Sequence, residues 1–291
     1  MGQKKILRRQ NYLTMEYETL YRLGVERLKE AQIDEALLDA RLLLEEVCGT
    51  DRNYLLVHGN NSVSEENYNC YVNYIEKRSH HIPLQHILGY QEFMGLHFKV
   101  TPDVLIPRQD TETLVEEVMR NLHDGMRILD MCTGSGCILL SLLKYSNDCL
   151  GTGCDLSEKA LLVAEENARS LGISAEFIQS NLFENVAGRY EIIVSNPPYI
   201  SSEEIPTLME EVREHDPRMA LDGGKDGLYF YREIIKQAGD YLYPGGMLFF
   251  EIGCQQAVEV SHYMRQAGYQ EVAVCKDLSG LDRVVSGVYT G

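Results

Sequence analysis

From residue 110 onward, short apolar runs of strand length alternate with longer stretches whose apolar residues recur at helical spacing. No other feature of the chain restricts its fold as strongly. Strand patterns fall at 127–130, 150–155, 176–179, 191–195, 247–252, 271–275 and 284–289. Helical patterns separate most of them. One, capped by Asp110 or Thr111, turns Leu114, Val115, Val118, Met119 and Leu122 inward. Another runs from Ile138 to Leu143, and a third opens at Ser157, carries Leu161, Leu162, Ala164, Ala168 and Leu171 on one side, and stops at Gly172. Two more are expected over 227–241 and 255–266. Strands joined through helices of this length must lie parallel, with helices on both faces of the sheet. The last two strands are joined by Asp277-Leu278-Ser279-Gly280 with no helix between, which predicts an antiparallel hairpin at the sheet edge.

The first ninety residues have a different period. Leu37, Leu38, Leu42 and 44–47 recur at helical spacing, and Cys48-Gly49 ends that run. Ser64 followed by Glu65 and Glu66 starts another helix, lined by Tyr68, Tyr71, Val72 and Ile75, and an earlier helix lies around 20–31. A small helical bundle over 1–90 is expected. Gly89, Gly95, Pro102 and Pro107 then punctuate short pieces such as Leu96-His97-Phe98-Lys99-Val100, which predicts a β-hairpin connector over 91–109 ahead of the α/β domain at 110–291.

Charge narrows the choice of partner. The net charge is −17, and it is uneven: residues 1–90 hold 11 basic and 13 acidic side chains, the remainder 16 and 31. Proteins that wrap a phosphate backbone carry a basic stripe, because counterion release supplies most of their affinity. An acidic α/β half disfavours nucleic acid and favours a protein partner. The acidic residues Glu203, Glu204, Glu210, Glu211, Glu214 and Asp216 read as a solvated face. No apolar run reaches the roughly 18 residues of a membrane span, and Met1 to Gln10 has no apolar stretch of a secretory signal. The eight cysteines are scattered without a C-x-x-C pair, which predicts buried free thiols in a reducing cytoplasm and no metal site.

The first strand of the α/β domain ends in Asp130-Met131-Cys132-Thr133-Gly134-Ser135-Gly136 and opens directly into a helix. Small residues there let the backbone approach a ligand. Asp155 lies 19 residues beyond Gly136, at the end of the next strand, where a carboxylate meets ribose hydroxyls. A dinucleotide needs a third glycine three residues after Gly136, but Leu139 stands there. S-adenosylmethionine, whose amino-acid tail and ribose need no phosphate cradle, is the alternative.

A second loop completes the set. Asn196-Pro197-Pro198-Tyr199 follows the strand at 191–195. Two prolines fix two φ angles and remove two backbone donors, leaving a rigid loop rich in acceptors beside an aromatic ring. Such a loop can grip a planar –NH2 group, with two acceptors for its hydrogens and the ring over one face. A flipped adenine in DNA or RNA would present the same group, so the loop alone does not choose between a nucleobase and a side-chain amide.

The segments Asp130–Gly136, Asp155 and Asn196–Tyr199 together resemble class I S-adenosylmethionine methyltransferases of the amino-methylating type. Three further stretches, Ile82-Pro83-Leu84-Gln85-His86-Ile87-Leu88-Gly89, Val104-Leu105-Ile106-Pro107-Arg108-Gln109-Asp110-Thr111-Glu112 and Leu278-Ser279-Gly280-Leu281-Asp282-Arg283-Val284-Val285, resemble one branch, the peptide-chain release factor glutamine methyltransferases (the HemK/PrmC family). The resemblance implies a Rossmann-like, mostly parallel seven-stranded sheet after the helical bundle, with the bundle docking the partner. It implies methylation of N5 of the glutamine in the Gly-Gly-Gln motif of release factors, with N6-adenine methylation of DNA or RNA as the competing activity. By matching position, Cys132, Thr133, Gly134, Ser135 and Gly136 would border the methionine part of S-adenosyl-L-methionine. Asp155 would hold the ribose and Leu182 would lie against the adenine. Asn196 would touch both cofactor and substrate, and Asn196, Pro197, Pro198 and Tyr199 would bind the glutamine. Cys132 stands where that family has glycine, Asn181 replaces an aspartate, Leu182 an aromatic residue, and Gln109 a proline.

Overall fold

The computed structural model describes residues 15–291; Met1 to Gln10, read above for a signal, lies outside the described residues. The chain divides into two compact units, the first ending at Leu88 and the second spanning Gly89–Gly291.

The first unit is all helical: α1 (Tyr17–Glu30), α2 (Ala36–Cys48), α3 (Arg52–His58), α4 (Glu65–Arg78) and α5 (Leu84–Leu88). Local chemistry sets the ends. Ser64 Oγ accepts from the Asn67 N–H at 3.1 Å and Asp51 from the Tyr54 N–H at 2.7 Å. Gly49, with φ +60°, closes α2 in the left-handed conformation that releases the chain. Leu20, Leu28, Leu43, Leu44, Tyr71 and Ile75 form the core. The Tyr71 hydroxyl donates to the Ala40 carbonyl at 3.1 Å and passes so close to α1 that a Cβ on Gly24 would sit 2.0 Å from its oxygen. The buried Asp39 carboxylate accepts from Arg78 Nε at 2.7 Å, and Arg78 also donates to the Ile82 carbonyl. A buried charge is tolerable only with such partners.

The second unit opens with a hairpin, β1 (Tyr90–Phe93) and β2 (Leu96–Lys99), and a 3-10 turn at Gln109–Thr111 that runs into α6 (Glu112–Met119). The α/β series follows: β3 (Arg127–Met131), α7 (Cys137–Tyr145), β4 (Leu150–Asp155), α8 (Glu158–Leu171), β5 (Glu176–Gln179) and β6 (Tyr190–Ser195). After two short helices, α9 (Glu210–His215) and α10 (Arg218–Leu221), come α11 (Tyr229–Tyr241), β7 (Leu242–Glu251), α12 (Ala257–Gln266), β8 (Gln270–Lys276) and β9 (Asp282–Val288). The seven-stranded sheet has the order β5-β4-β3-β6-β7-β9-β8, parallel except that β9 runs antiparallel to both its neighbours. A mostly parallel seven-stranded sheet is the fold expected from the alternation.

Period-two alternation builds two cores from the same strands. Leu129, Met131, Ile193, Leu248 and Phe250 join α11 and α12 on one face. Ile128, Ile192, Val194 and Phe249 join α6 and α7 on the other. Each large side chain buried this way stabilises the fold by about 1.5–3 kcal/mol.

Several local expectations shift. Neither Asp110 nor Thr111 caps α6 with its side chain, because the 3-10 turn supplies the backbone contacts there. β7 begins at Leu242, five residues early, with a register irregularity opposite Tyr190 and Ile192 that absorbs Pro244-Gly245-Gly246. α11 starts at Tyr229, since Gly227 has φ +71°. Only Cys137 and Cys154 are buried among the cysteines, and Cys254 is exposed.

Candidate active site

The chain order passes outward through β3, β4 and β5, then returns to place β6 on the other side of β3. At such a reversal the loops leaving neighbouring strands diverge and open a crevice at their carboxyl ends. A cavity of about 410 Å³ lies there, lined from β3 by Met131 to Ser135, from β4 by Asp155 and Ser157, from the loop after β5 by Asn181 and Leu182, and from β6 by Asn196 and Pro198.

The β3 loop is held from below. Thr133 Oγ1 donates to Asp130 Oδ2 at 2.6 Å, and the Thr133 N–H donates to the Cys154 carbonyl at 3.0 Å. The Gly134 N–H donates to Asp155 Oδ2 and the Ser157 N–H to Asp155 Oδ1, both at 2.9 Å. Each Asp155 oxygen therefore keeps lone-pair capacity for a further donor. Burial raises the Asp155 pKa from its ordinary value, against the pull of these backbone donors. Asp130 is fully buried with Oδ1 unpartnered among the described residues, and burial pushes its carboxyl up to about 7. Cys132 has φ +63°, a left-handed conformation that costs a residue with a Cβ roughly 1–2 kcal/mol. Burial holds the Cys132 thiol well above its ordinary range and the Cys137 thiol at about 12, so neither is a thiolate at neutral pH.

Asn196 Nδ2 donates to Thr111 Oγ1 at 3.4 Å, which commits the amino end of its amide and leaves Oδ1 without a partner among the described residues. Ser195 Oγ donates to the Met131 carbonyl at 2.7 Å, tying the end of β6 to β3. Tyr199 faces away from the cavity wall. Its ring packs on the core of β7 and α11, its hydroxyl donates to Glu251 Oε1 at 3.5 Å, and its carbonyl accepts from Gln256 Nε2 at 2.9 Å. Burial, then the neighbouring Glu251, raise its phenol pKa.

Of the residues singled out in the sequence, Cys132, Thr133, Gly134, Ser135, Asp155, Leu182, Asn196 and Pro198 converge on the cavity. Gly136, Pro197 and Tyr199 stand behind them. Gly136 packs on Ala164, where a Cβ would lie 3.2 Å away, and Pro197 is buried.

Several supporting residues carried no sequence signal. Buried Asn167 donates to the carbonyls of Ser135 and Lys99, and accepts from the Lys99 N–H, joining α8 to the glycine loop and to β2. Its place on the inner side of α8 was the one available clue. Gly223 and Gly227 lie against the loop after β6: a Cβ on Gly223 would be 2.8 Å from the Pro198 carbonyl oxygen. The acidic segment also needs correction. Asp216 is not a solvated group; its side chain is buried and ion-pairs with Arg108, which lines the cavity.

Comparison with known proteins agrees with this geometry. Two family models match, the PrmC N-terminal domain over residues 19–89 and the methyltransferase small domain over residues 108–225. A release factor glutamine methyltransferase of Geobacter sulfurreducens is 41% identical over 261 residues, covering 89% of this chain and 92% of that protein. One from Caulobacter vibrioides is 41% identical over 268 residues, covering 90% and 93%. The crystal structure of a methyltransferase from Pyrococcus furiosus shares the fold, with a TM-score of 0.52 and 18% identity over 68% of this chain and 90% of that one.

The sheet order and the crevice at its switch point define a class I methyltransferase fold. Within that class, the chain belongs to the release factor glutamine methyltransferase family.

Proposed function

We propose that this chain transfers a methyl group from S-adenosyl-L-methionine to N5 of the glutamine side chain in the Gly-Gly-Gln motif of peptide-chain release factors. The observation that carries the reading is the committed amide of Asn196: its –NH2 is turned to Thr111, and its carbonyl oxygen is available beside the cavity.

The lining residues suit this cofactor. The walls combine the Asp155 carboxylate with apolar Val104, Ile138, Leu156, Ala160 and Leu182, and the one cation that lines them among the described residues, Arg108, is paired with Asp216. A site without a free cation suits a positively charged, phosphate-free ligand better than a dinucleotide. Thr133 to Gly136 would border its amino-acid tail, Asp155 its ribose, Asn181 and Leu182 its adenine. When bound, the cofactor supplies a methyl group on a positively charged sulfur.

The chain's own residues do the rest. A carboxamide nitrogen is a poor nucleophile because its lone pair is delocalised. Asn196 Oδ1 and the Pro197 carbonyl accept the two N–H bonds of the glutamine amide and aim its nitrogen, while Tyr199 supports the substrate side of the loop. Alignment of this kind is worth up to about 7–11 kcal/mol. Positive charge builds on nitrogen during transfer, so fixed acceptors stabilise the transition state more than the ground state. Proton loss follows transfer.

The helical unit serves as the docking module for the release factor. Among the described residues no helix is long and apolar enough to cross a membrane, and the eight free thiols suit a reducing cytoplasm.

The test incubates the protein with labelled cofactor, a purified release factor and duplex and single-stranded nucleic acid. Mass spectrometry of the Gly-Gly-Gln peptide should place one methyl on glutamine. Label on the nucleic acid alone overturns the reading.

A further inference from the structure

Gln256 stands at the N-terminal boundary of α12, half-buried and outside the lining of the cavity. Its side chain does not cap the helix; both ends of its amide are turned elsewhere. Nε2 donates to the Tyr199 carbonyl at 2.9 Å and to the Gly227 carbonyl at 3.3 Å. Oε1 accepts from the Gly253 N–H at 2.9 Å. It also shares the Tyr231 hydroxyl proton, at 3.3 Å, with the Glu251 main-chain carbonyl at 2.9 Å. One amide thus joins the loop after β6, the turn ahead of α11 and the stretch after β7.

The partners fix the direction of these bonds. A peptide carbonyl only accepts and a peptide N–H only donates. The amide nitrogen must therefore face Tyr199 and Gly227, and the oxygen must face Gly253. The loop after β6 has a particular need of a donor from outside. Pro197 and Pro198 have no N–H, and among the described residues their carbonyls accept no hydrogen bond. Main-chain tethers resume only past the prolines. The Tyr199 carbonyl accepts from Gln256, the Ile200 N–H donates to the Leu221 carbonyl at 3.0 Å, and the Gly223 N–H donates to the Ile200 carbonyl at 2.8 Å. The Tyr199 carbonyl lies two residues beyond that of Pro197, and the ring of Pro198 stiffens the backbone between them. A shift at Tyr199 is passed on to Pro197.

We infer that Gln256 is a positioning residue: by holding the Tyr199 carbonyl, it sets where the Pro197 carbonyl stands for the amide of the substrate. This deepens the glutamine-methylation reading and rests on it for its kinetic consequence. The hold on the loop itself can be read without turnover.

Two variants of matched shape remove the donors. Gln256→Glu keeps the outline and the acceptor for Gly253, and Gln256→Met keeps the volume without either polar end. With S-adenosyl-L-methionine and purified release factor, kcat should fall on the order of 10–100-fold in both, since a misplacement near 1 Å can cost about 100-fold. KM for the release factor and Kd for S-adenosylhomocysteine, measured by calorimetry, should stay within about three-fold, because the displaced acceptor acts on the transition state and Gln256 does not line the cavity. A merely structural role would lower Tm and leave kcat of the folded fraction unchanged. The second arm is hydrogen exchange of the full chain with S-adenosylhomocysteine bound, read at the Ile200 and Gly223 amides. Exchange there should quicken on the order of five-fold in both variants and stay at the wild-type rate in β3 and β4. The inference is overturned by unchanged exchange at Ile200 and Gly223, or by a loss of S-adenosylhomocysteine affinity equal to the loss of kcat. It is overturned as well by kcat within about three-fold of wild type in either variant, since a loss confined to Gln256→Glu would report the added charge. A wild-type protein that leaves the release factor unmethylated overturns the proposed function instead, and the exchange arm still decides whether Gln256 holds the loop. Should one variant fail to fold, the other carries both arms.

Discussion

A Cβ on Gly227 would sit 2.4 Å from the carbonyl oxygen of Tyr199. Two segments distant in sequence thus meet backbone to backbone, and Gln256 Nε2 seals the contact by donating to the carbonyls of both residues. Gly227→Ala adds a methyl group where none fits, at φ +71°, and should cost about 2–4 kcal/mol of stability. The loop after β6 must shift to accept it. A displacement near 1 Å can lower turnover about 100-fold, so kcat should fall while S-adenosylhomocysteine binding, measured by calorimetry, is retained. Equal losses in both would show that the contact supports the whole crevice rather than the loop.

Cys132 occupies a left-handed position on the wall of the cavity. Replacing it by glycine removes strain of roughly 1–2 kcal/mol and adds unfolded-state entropy of nearly the same size. Cys132→Gly should therefore leave the urea midpoint almost unchanged. Cys132→Val brings a β-branched side chain to the same φ and should lose about 2–3 kcal/mol. A valine variant as stable as the glycine one would mean that the loop relaxes freely.

Stability should decline as pH rises toward neutrality. Asp130 and Glu251 are both pushed up to about 7 by burial, from ordinary values of 3.8 and 4.5. The folded chain thus holds two protons that the unfolded chain releases. Their stabilisation is complete below the unfolded pKa values and is lost as pH climbs through about 7, on the order of 2–4 kcal/mol each at most. The groups facing them are Thr133 and Asp155 for Asp130, and Thr111, Tyr199, Arg283 and Asp110 for Glu251. Denaturant midpoints should be higher at pH 5.5 than at pH 8, an order-of-magnitude window set by those shifts. Asp130→Asn and Glu251→Gln should flatten the slope. A midpoint that rises with pH would contradict the burial of both carboxyls.

The helical unit carries an apolar groove of about 680 Å³ lined by Tyr17, Tyr21, Leu37, Leu55 and Leu56 with Arg22, Arg41 and Arg52 along it. Leu56 and Val57 are three-quarters exposed. Exposed apolar surface of this kind is a candidate contact site, and the proposed docking can be tested on it. Leu56→Asp should raise KM for whole release factor about ten-fold and leave KM for a short Gly-Gly-Gln peptide unchanged, the signature of docking away from the chemistry. An equal rise for both substrates would assign the groove no docking role.

Much of this molecule is local in origin, and local features are readable in a chain of letters. The alternating periods marked the strands and most of the helices, Ser64, Ser157, Gly49 and Gly172 marked helix ends, and the glycine loop, Asp155 and Asn196–Tyr199 each follow a strand. Parallel connections then required those three strand ends to share one edge of the sheet, so the crevice itself was within reach of the sequence. What faces what inside it was not. Thr111 meets Asn196 across 85 residues and Arg108 meets Asp216 across 108. Asp110 reaches Arg283 near the other end of the chain. No periodicity encodes such pairs, because they arise where loops from different strands cross, and their position depends on the register and twist of the whole sheet. For the same reason an acidic run that looked solvated holds a buried aspartate, and a threonine that looked like a helix cap holds Asn196 of the loop after β6 instead. The sequence by itself determined the sheet, the crevice and the Asn-Pro-Pro-Tyr loop at its edge; only the tertiary structure, by bringing Thr111 to Asn196, decided which way the Asn196 amide faces.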